Sequence, residues 1–155
     1  MTYQEYKEKA QSRFNALPIK YAFGQDQFKR MMESWGLTEN DTDKIYSIGC
    51  GGFFLRSDAE IIREYFAEPD ELPELMKDYD FAFDAIYYEM GNHEYHINNY
   101  QGNWDVCSCF GDVEYNDMDD MDSYFDQLDW GITTRAAYMD ARAKFLRDAA
   151  ENDWY

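Results

Sequence analysis

The apolar residues of this chain recur at two spacings, and each spacing predicts a type of element. A recurrence every three or four residues is typical of amphipathic helices. It predicts a first helix from Thr2 to about Leu17, where Thr2 and Glu5 form the capping box that favours a helix start. The same pattern predicts further helices over residues 25–35, 58–67 and 73–90, around Tyr124, and from Thr133 or Thr134 to Asn152.

Short β-rich runs predict two hairpins. Residues 44–49 (KIYSIG) and 52–56 (GFFLR) meet at a glycine cluster, which is typical of a tight turn. Residues 94–98 and 104–110, separated by NYQG, predict the second hairpin. The sequence therefore predicts an α+β fold, with about five helices around a small antiparallel sheet of two hairpins. A length of 155 residues suits a single domain over residues 1–155.

Negative charge is concentrated in one part of the chain. The net charge is -18, and the 57 residues between Lys77 and Arg135 contain no Lys or Arg. The carboxylates of this window are Asp78, Asp80, Asp84, Glu89, Glu94, Asp105, Asp112, Glu114, Asp117, Asp119, Asp120, Asp122, Asp126 and Asp129. A field of one sign attracts partners of the opposite sign. Because nucleic-acid binding needs a basic surface, DNA and RNA are excluded as direct ligands.

Composition also indicates the cellular compartment of the protein. No apolar run approaches the ~20 residues that cross a bilayer, and an anionic membrane would repel this chain. The three cysteines, Cys50, Cys107 and Cys109, are odd in number and few, which indicates reduced thiols. We expect a cytoplasmic protein of a bacterial cell, and we expect Cys50 to be a buried, inert thiol.

The acidic stretch after residue 111 has a regular spacing. Asp119, Asp122, Asp126 and Asp129 follow one another at intervals of three, four and three residues. On a helix such residues share one face, with neighbours about 5–6 Å apart. This resembles the spacing of phosphates along a nucleic-acid strand, so the sequence predicts a row of carboxylates that can occupy a groove built for a nucleic-acid backbone. The alternative is a solvated face that only keeps the protein soluble.

A second group of residues could hold a metal ion. His93, Glu94 and His96 lie close together in sequence, and Cys107 and Cys109 would share a face of a strand. The two histidines and two cysteines are a possible set of zinc ligands. Against this, Cys-x-Cys is less typical of structural zinc than Cys-x-x-Cys. We expect no cofactor and no metal, and the alternative is a metalloprotein or hydrolase centred on these residues.

Four segments carry a resemblance to a known group of proteins. They are YAFGQDQF at 21–28, KIYSIGCGGFF at 44–54, YEMGNHEYHIN at 88–98 and WDVCSCFG at 104–111. With these motifs the chain resembles small uncharacterised proteins carried by bacteriophages and conjugative elements, typically of gut Firmicutes. The resemblance covers about the first 111 residues and implies a mobile-element origin. Such elements encode small acidic inhibitors of CRISPR nucleases and restriction enzymes, so it also implies an anti-CRISPR or anti-restriction role.

We therefore expect a non-enzymatic inhibitor that mimics DNA. Its partner would be the basic nucleic-acid channel of a bacterial defence nuclease, a CRISPR effector first and a restriction enzyme second. Tyr115, Tyr124 and Trp130 would supply apolar anchors beside the carboxylates. The predicted partner-binding carboxylates are Asp112, Glu114, Asp117, Asp119, Asp120, Asp122, Asp126 and Asp129. A further alternative is a sponge that sequesters a signalling nucleotide.

Overall fold

The structure, a computed structural model, describes residues 1–98 and 100–154. Within this range the chain forms two compact units. The first unit comprises Met1–Lys9 together with the chain from Asp70 onward, and the second comprises Ala10–Pro69. Helix α1 (Tyr3–Asn15) begins in the first unit, and Thr2 and Glu5 form the predicted capping box, with the Glu5 amide donating to Thr2 Oγ1 at 3.1 Å. The prediction of a single domain over 1–155 stays a prediction.

The second unit contains the sheet. Strand β1 (Lys20–Tyr21) pairs with β3 (Gly52–Leu55), and β3 pairs with β2 (Ile45–Gly49), all antiparallel. Helices α2 (Gln25–Ser34) and α3 (Ala59–Ala67) also belong to this unit. The first predicted hairpin is confirmed as β2–β3, so the sheet has three strands and one of the two predicted hairpins.

The turn of this hairpin is made by residues with positive φ. Gly49, Cys50 and Gly51 have φ values of 82°, 51° and 76°, which explains the glycine cluster. Cys50 is exposed at this turn, so the expectation that it is buried was wrong. A residue at the tip of a two-stranded turn has no neighbouring element to cover it.

The first unit is helical, and two long helices form its centre. Helix α5 (Tyr79–Asn92) packs against α8 (Ile132–Glu151), which buries Ala137, Tyr138, Ala141, Phe145 and Ala149 along one face. Alanines at three of these positions have little side-chain bulk between the helices. The sequence predicts Tyr138, Ala141, Phe145 and Ala149 on the apolar side of this helix, and their burial confirms that prediction.

The helix predicted over residues 73–90 is two helices. A short α4 (Leu72–Leu75) is followed by α5, which begins at Tyr79 because the Asp78 carboxylate accepts a hydrogen bond from the Phe81 amide at 2.9 Å. With two further short helices, Gly102–Cys107 and Met121–Gln127, the described residues contain eight α-helical segments, which is more than the five expected. The α+β class is confirmed. None of the described helices combines the length and apolar character needed to span a membrane.

The second predicted hairpin was wrong. Residues 93–97 form turns, and residues of the expected second strand lie in α6 (Gly102–Cys107). Val106 and Cys107 are both fully buried on this short helix. An alternation of apolar and polar residues over so few positions fits a strand or one helical turn equally well. Here hydrogen bonds to a distant residue, Asp119, stabilise the helix.

Candidate functional site

Three side chains with metal-binding atoms converge in the first unit. Glu89 lies near the end of α5, His93 is the residue that ends this helix, and Cys109 follows α6. His93 Nε2 lies 3.2 Å from Cys109 Sγ and 3.6 Å from Glu89 Oε2, and Cys109 Sγ lies 3.6 Å from the same Glu89 oxygen. We call Glu89, His93 and Cys109 the ligand triangle.

The triangle is buried on one side and reaches solvent on the other. Glu89 is only 2% exposed, whereas the His93 side chain is 35% exposed. Cys109 is half-buried. Burial of a carboxylate is unfavourable unless it is paired or hydrogen-bonded, so the surroundings of Glu89 must provide donors.

Those donors come mainly from α1. Tyr3 Oη donates to Glu89 Oε1 at 2.7 Å, and Lys7 Nζ pairs with the same oxygen at 3.1 Å. Residues 3 and 7 lie one helical turn apart, which brings both side chains to one carboxylate. Asn92 Nδ2 donates to Glu89 Oε2 at 3.1 Å. Outer contacts of this kind orient ligands in metal sites.

The protonation states follow from these contacts. Burial alone would raise the pKa of Glu89, but the hydrogen bonds from Tyr3, Asn92 and Lys7 outweigh it and lower the pKa below its ordinary value. Burial, followed by the charge of Glu89, raises the pKa of the Cys109 thiol to about 12. Without a cation, Glu89 is therefore charged and Cys109 is a neutral thiol.

The geometry favours joint ligation over a catalytic relay. A relay from carboxylate through imidazole to thiol uses opposite ring nitrogens, whereas Glu89 and Cys109 both meet His93 at Nε2. A nucleophilic cysteine also needs a lowered pKa, and that of Cys109 is raised. Tetrahedral zinc, with ligand distances of about 2.0–2.3 Å, holds its ligand atoms about 3.3–3.6 Å apart. Two edges of the triangle, each 3.6 Å, lie within this range, and the edge from His93 Nε2 to Cys109 Sγ, 3.2 Å, is slightly shorter.

The metal set that the sequence offered as an alternative contains two of these three residues. Of that alternative set, the structure brings His93 and Cys109 together, but Glu94 is exposed, His96 Nε2 lies beside the Trp154 carbonyl at 2.5 Å, and Cys107 is fully buried in the core. The reason is that residues 93–97 are turns and 107 and 109 flank a helix end. Glu89 was missed. Its position four residues before His93 on a helix was the available signal.

The acidic segment, residues 112–129, is held in place by its backbone. Trp104 Nε1 donates to the Val113 carbonyl at 3.0 Å, the Glu114 amide donates to Gln127 Oε1 at 2.8 Å, and the Asp120 amide donates to Asn116 Oδ1 at 3.0 Å. The segment includes one helix, α7 (Met121–Gln127). The path of its backbone is therefore defined.

The predicted row of four aspartates on one helix face was wrong. Only Asp122 and Asp126 lie within α7; Asp119 precedes it and Asp129 follows it, with φ values of 48° and 54°. The positive φ values show that the helix does not extend to either residue. Asp126 also pairs with Arg135 of α8 at 2.8 Å.

Asp119 has a structural role. Its two carboxylate oxygens accept hydrogen bonds from the backbone amides of Asn103 and Trp104, at 3.0 and 2.9 Å, in the first turn of α6. Asn103 Nδ2 donates to the Asp119 carbonyl at 3.1 Å. The carboxylate therefore satisfies the free amides of a helix start and does not point to a partner.

Two of the three predicted anchors were wrong. Tyr124 is fully buried and Trp130 is 8% exposed, because both rings pack into the core of the first unit. Tyr115 is 48% exposed, with its ring edge against Trp104. The exposed carboxylates of the acidic segment are Asp112, Glu114, Asp117, Asp120, Asp122, Asp126 and Asp129.

The fold is of the α+β class, and it brings together three side chains, those of the ligand triangle, that could hold a metal ion. The model of a family of unknown function, DUF7659, matches residues 2–122 of the chain. The chain belongs to this family. The matched range contains the whole ligand triangle, whereas Asp126 and Asp129 lie outside it. No curated protein and no solved structure matches the chain. The mobile-element origin implied by the sequence motifs stays a prediction.

Proposed function

We propose that this chain is a zinc-binding protein and that Glu89, His93 and Cys109 are the protein ligands. The observation that carries the proposal is the mutual spacing of the three ligand atoms, 3.2 to 3.6 Å, which is close to the edges of a zinc tetrahedron. A thiol, an imidazole and one carboxylate favour zinc over calcium or magnesium, because the latter ions prefer oxygen ligands.

The contacts around the triangle support this proposal. Tyr3, Lys7 and Asn92 fix the orientation of Glu89, and the Cys109 thiol lies 3.3 Å from the Asp105 carbonyl. Three protein ligands leave a fourth position on a tetrahedral ion, and partial exposure of His93 gives solvent access to the cluster. Water or another small ligand would complete the coordination.

The first prediction concerns metal content. Protein purified without a histidine tag is expected to bind about one zinc ion per chain, measured by elemental analysis and by competition with a chromophoric chelator. The replacements His93→Gln and Cys109→Ala should each weaken zinc binding by roughly 100-fold or more, since each removes a direct ligand. His96→Gln and Cys50→Ala are matched controls that should bind zinc like the unmodified chain.

Two further readouts sharpen this test. Cobalt in the site should show a sulfur-to-metal charge-transfer band that Cys109→Ala abolishes and Cys50→Ala retains. Because the metal displaces the thiol proton, zinc affinity should rise roughly tenfold per pH unit near neutrality. Equal zinc binding by His93→Gln and His96→Gln, or no zinc above the level of a chelated blank, would refute the proposal.

A second candidate function is docking on a basic protein surface, and a specific observation favours it. Asp112, Glu114, Asp117, Asp122 and Asp129 are exposed and have no ion pair within the part of the chain that the structure describes. They belong to a segment whose backbone is fixed by hydrogen bonds. We propose as its partner the nucleic-acid channel of a bacterial defence nuclease, a CRISPR effector before a restriction enzyme. The fixed loop with its short helix would present the charges.

The second prediction tests this docking by charge and salt. The triple variant Asp112→Asn, Asp117→Asn and Asp122→Asn should weaken inhibition of DNA cleavage by a CRISPR nuclease, and inhibition by the unmodified protein should decline as salt rises. The control variant Asp26→Asn, Glu64→Gln and Glu151→Gln changes the net charge equally at exposed sites elsewhere. Inhibition that neither salt nor the first triple variant reduces would exclude electrostatic mimicry.

A further inference from the structure

A pocket in the first unit is walled by aromatic rings. It has a volume of about 490 Å³, within the size range of small-molecule sites. The rings that line it belong to Tyr87, Tyr88, His96, Phe145 and Trp154. Phe145 is 2% exposed, whereas Trp154 is 42% exposed. The pocket therefore has a buried aromatic base and a wall that solvent reaches.

The rings of this pocket contact one another. The Phe145 ring centre lies 5.6 Å from that of Trp154, 5.8 Å from that of His96 and 5.4 Å from that of Tyr87. These separations are typical of favourable aromatic pairs. The contacts hold Trp154, at the end of the described chain, against a residue of α8, so the wall it forms is part of the folded unit.

Two carboxylates line the same pocket. Glu94 is exposed, has a positive φ of 49°, and makes no side-chain hydrogen bond or ion pair within the described residues. Asp84 accepts one hydrogen bond, from the Tyr3 amide at 2.9 Å. A non-glycine residue with positive φ is uncommon and is often found at binding sites. The carboxylate of Glu94 is therefore available to a ligand.

The neighbouring cations are already neutralised. Lys7 lies 4.9 Å from the Tyr88 ring centre and pairs with Glu89, and Lys144 lies 4.6 Å from the Tyr87 ring centre and pairs with Asp148. Each lysine covers a tyrosine ring from one side. The Trp154 ring and the Glu94 carboxylate have no such cation among the described contacts.

We propose that this pocket binds a small organic ammonium ion with an apolar body, such as a quaternary or methylated amine. Aromatic walls attract such a cation through the negative faces of their rings, tryptophan most strongly. Glu94 and Asp84 supply the opposite charge. A phosphate or carboxylate ligand would be repelled by both residues. The site does not depend on metal binding by the ligand triangle, so either proposal can fail alone.

The test uses choline and its uncharged isostere 3,3-dimethylbutan-1-ol as probes. Binding to the unmodified chain is measured by NMR chemical-shift titration at about pH 8, where an ordinary histidine is neutral. Choline should bind saturably and roughly tenfold more tightly than the alcohol, the preference expected of a cation–π site. Trp154→Ala should abolish choline binding, and circular dichroism would verify that it stays folded.

The variant Glu94→Gln removes the negative charge at position 94 and keeps a side chain of similar shape. This variant should bind choline roughly tenfold more weakly while its affinity for the alcohol stays the same. Glu64→Gln, which replaces an exposed carboxylate that does not line the pocket, should bind both probes like the unmodified chain. Equal affinity for choline and the alcohol, unchanged choline binding by Glu94→Gln, or no saturable choline binding would each overturn the proposal.

Discussion

Glu89→Ala is expected to lower the free energy of unfolding of the metal-free protein by about 3 kcal/mol. The replacement removes the acceptor of the buried Tyr3 hydroxyl, which is left without this hydrogen bond, and leaves a small cavity beside α5. The loss of the Lys7 pair adds little, because the Lys7 side chain is 39% exposed and can be hydrated. Urea unfolding followed by circular dichroism measures the change.

Glu89→Gln and Glu94→Gln are the controls for this prediction. Glutamine at position 89 keeps the side-chain volume and one oxygen acceptor. We therefore expect Glu89→Gln to lower the free energy of unfolding by about half as much as Glu89→Ala. Glutamine at the exposed position 94 should change stability by less than about 0.5 kcal/mol. All three effects are measured with a chelator present. Equal stability of Glu89→Ala and Glu94→Gln would contradict the role given to Glu89.

At acidic pH the unmodified chain should no longer have a higher free energy of unfolding than the Glu89→Gln variant. The pKa of Glu89 is lower in the folded chain than its ordinary value of 4.5. The stability that its charge contributes is therefore present above the unfolded-state pKa and is lost as pH falls through the lowered folded-state pKa. The difference in unfolding free energy between the two proteins should narrow below about pH 4.5.

Asp119→Ala is expected to destabilise the protein by about 2–3 kcal/mol. It removes the acceptors of two amides at the start of α6 and places alanine at a positive φ that aspartate tolerates better. Because Cys109 follows α6, zinc affinity should fall as well. Thermal unfolding and zinc competition measure the two effects.

Two variants isolate the role of Asp119. Asp119→Asn keeps one acceptor oxygen and tolerates positive φ, so it should retain about half of the stability lost in Asp119→Ala. Asp117→Ala removes an exposed carboxylate with no hydrogen-bond partner among the described residues and should change stability by less than about 0.5 kcal/mol. Similar stabilities for Asp117→Ala and Asp119→Ala would exclude the capping role.

The acidic segment shows where sequence spacing was insufficient. Intervals of three and four residues place side chains on one face only if the helix extends over all of them, and α7 ends at Gln127. Asp119 instead bonds to amides 15 and 16 residues earlier. Nothing in the local sequence distinguishes an aspartate that caps a distant helix from one that faces solvent.

The ligand triangle shows a similar limit. His93 and Cys109 were predicted as members of a possible metal set, because their types of ligand are few in this chain. Glu89 is one of many carboxylates, and its role follows from the burial of one face of α5 and from the approach of Tyr3 and Lys7. Tyr3 and Lys7 precede Glu89 by 86 and 82 positions in the sequence, so local spacing could not indicate these contacts.

The sequence by itself determined the α+β class, the first hairpin, the apolar face of α8 and the uneven charge. Each of these follows from local spacing, turn residues or composition, which do not depend on distant contacts. Only the tertiary structure decided that residues 102–107 are helical, that Asp119 caps them, and that Glu89 joins His93 and Cys109. These features depend on which distant groups satisfy buried amides and carboxylates, and that pairing exists only once the helices have packed.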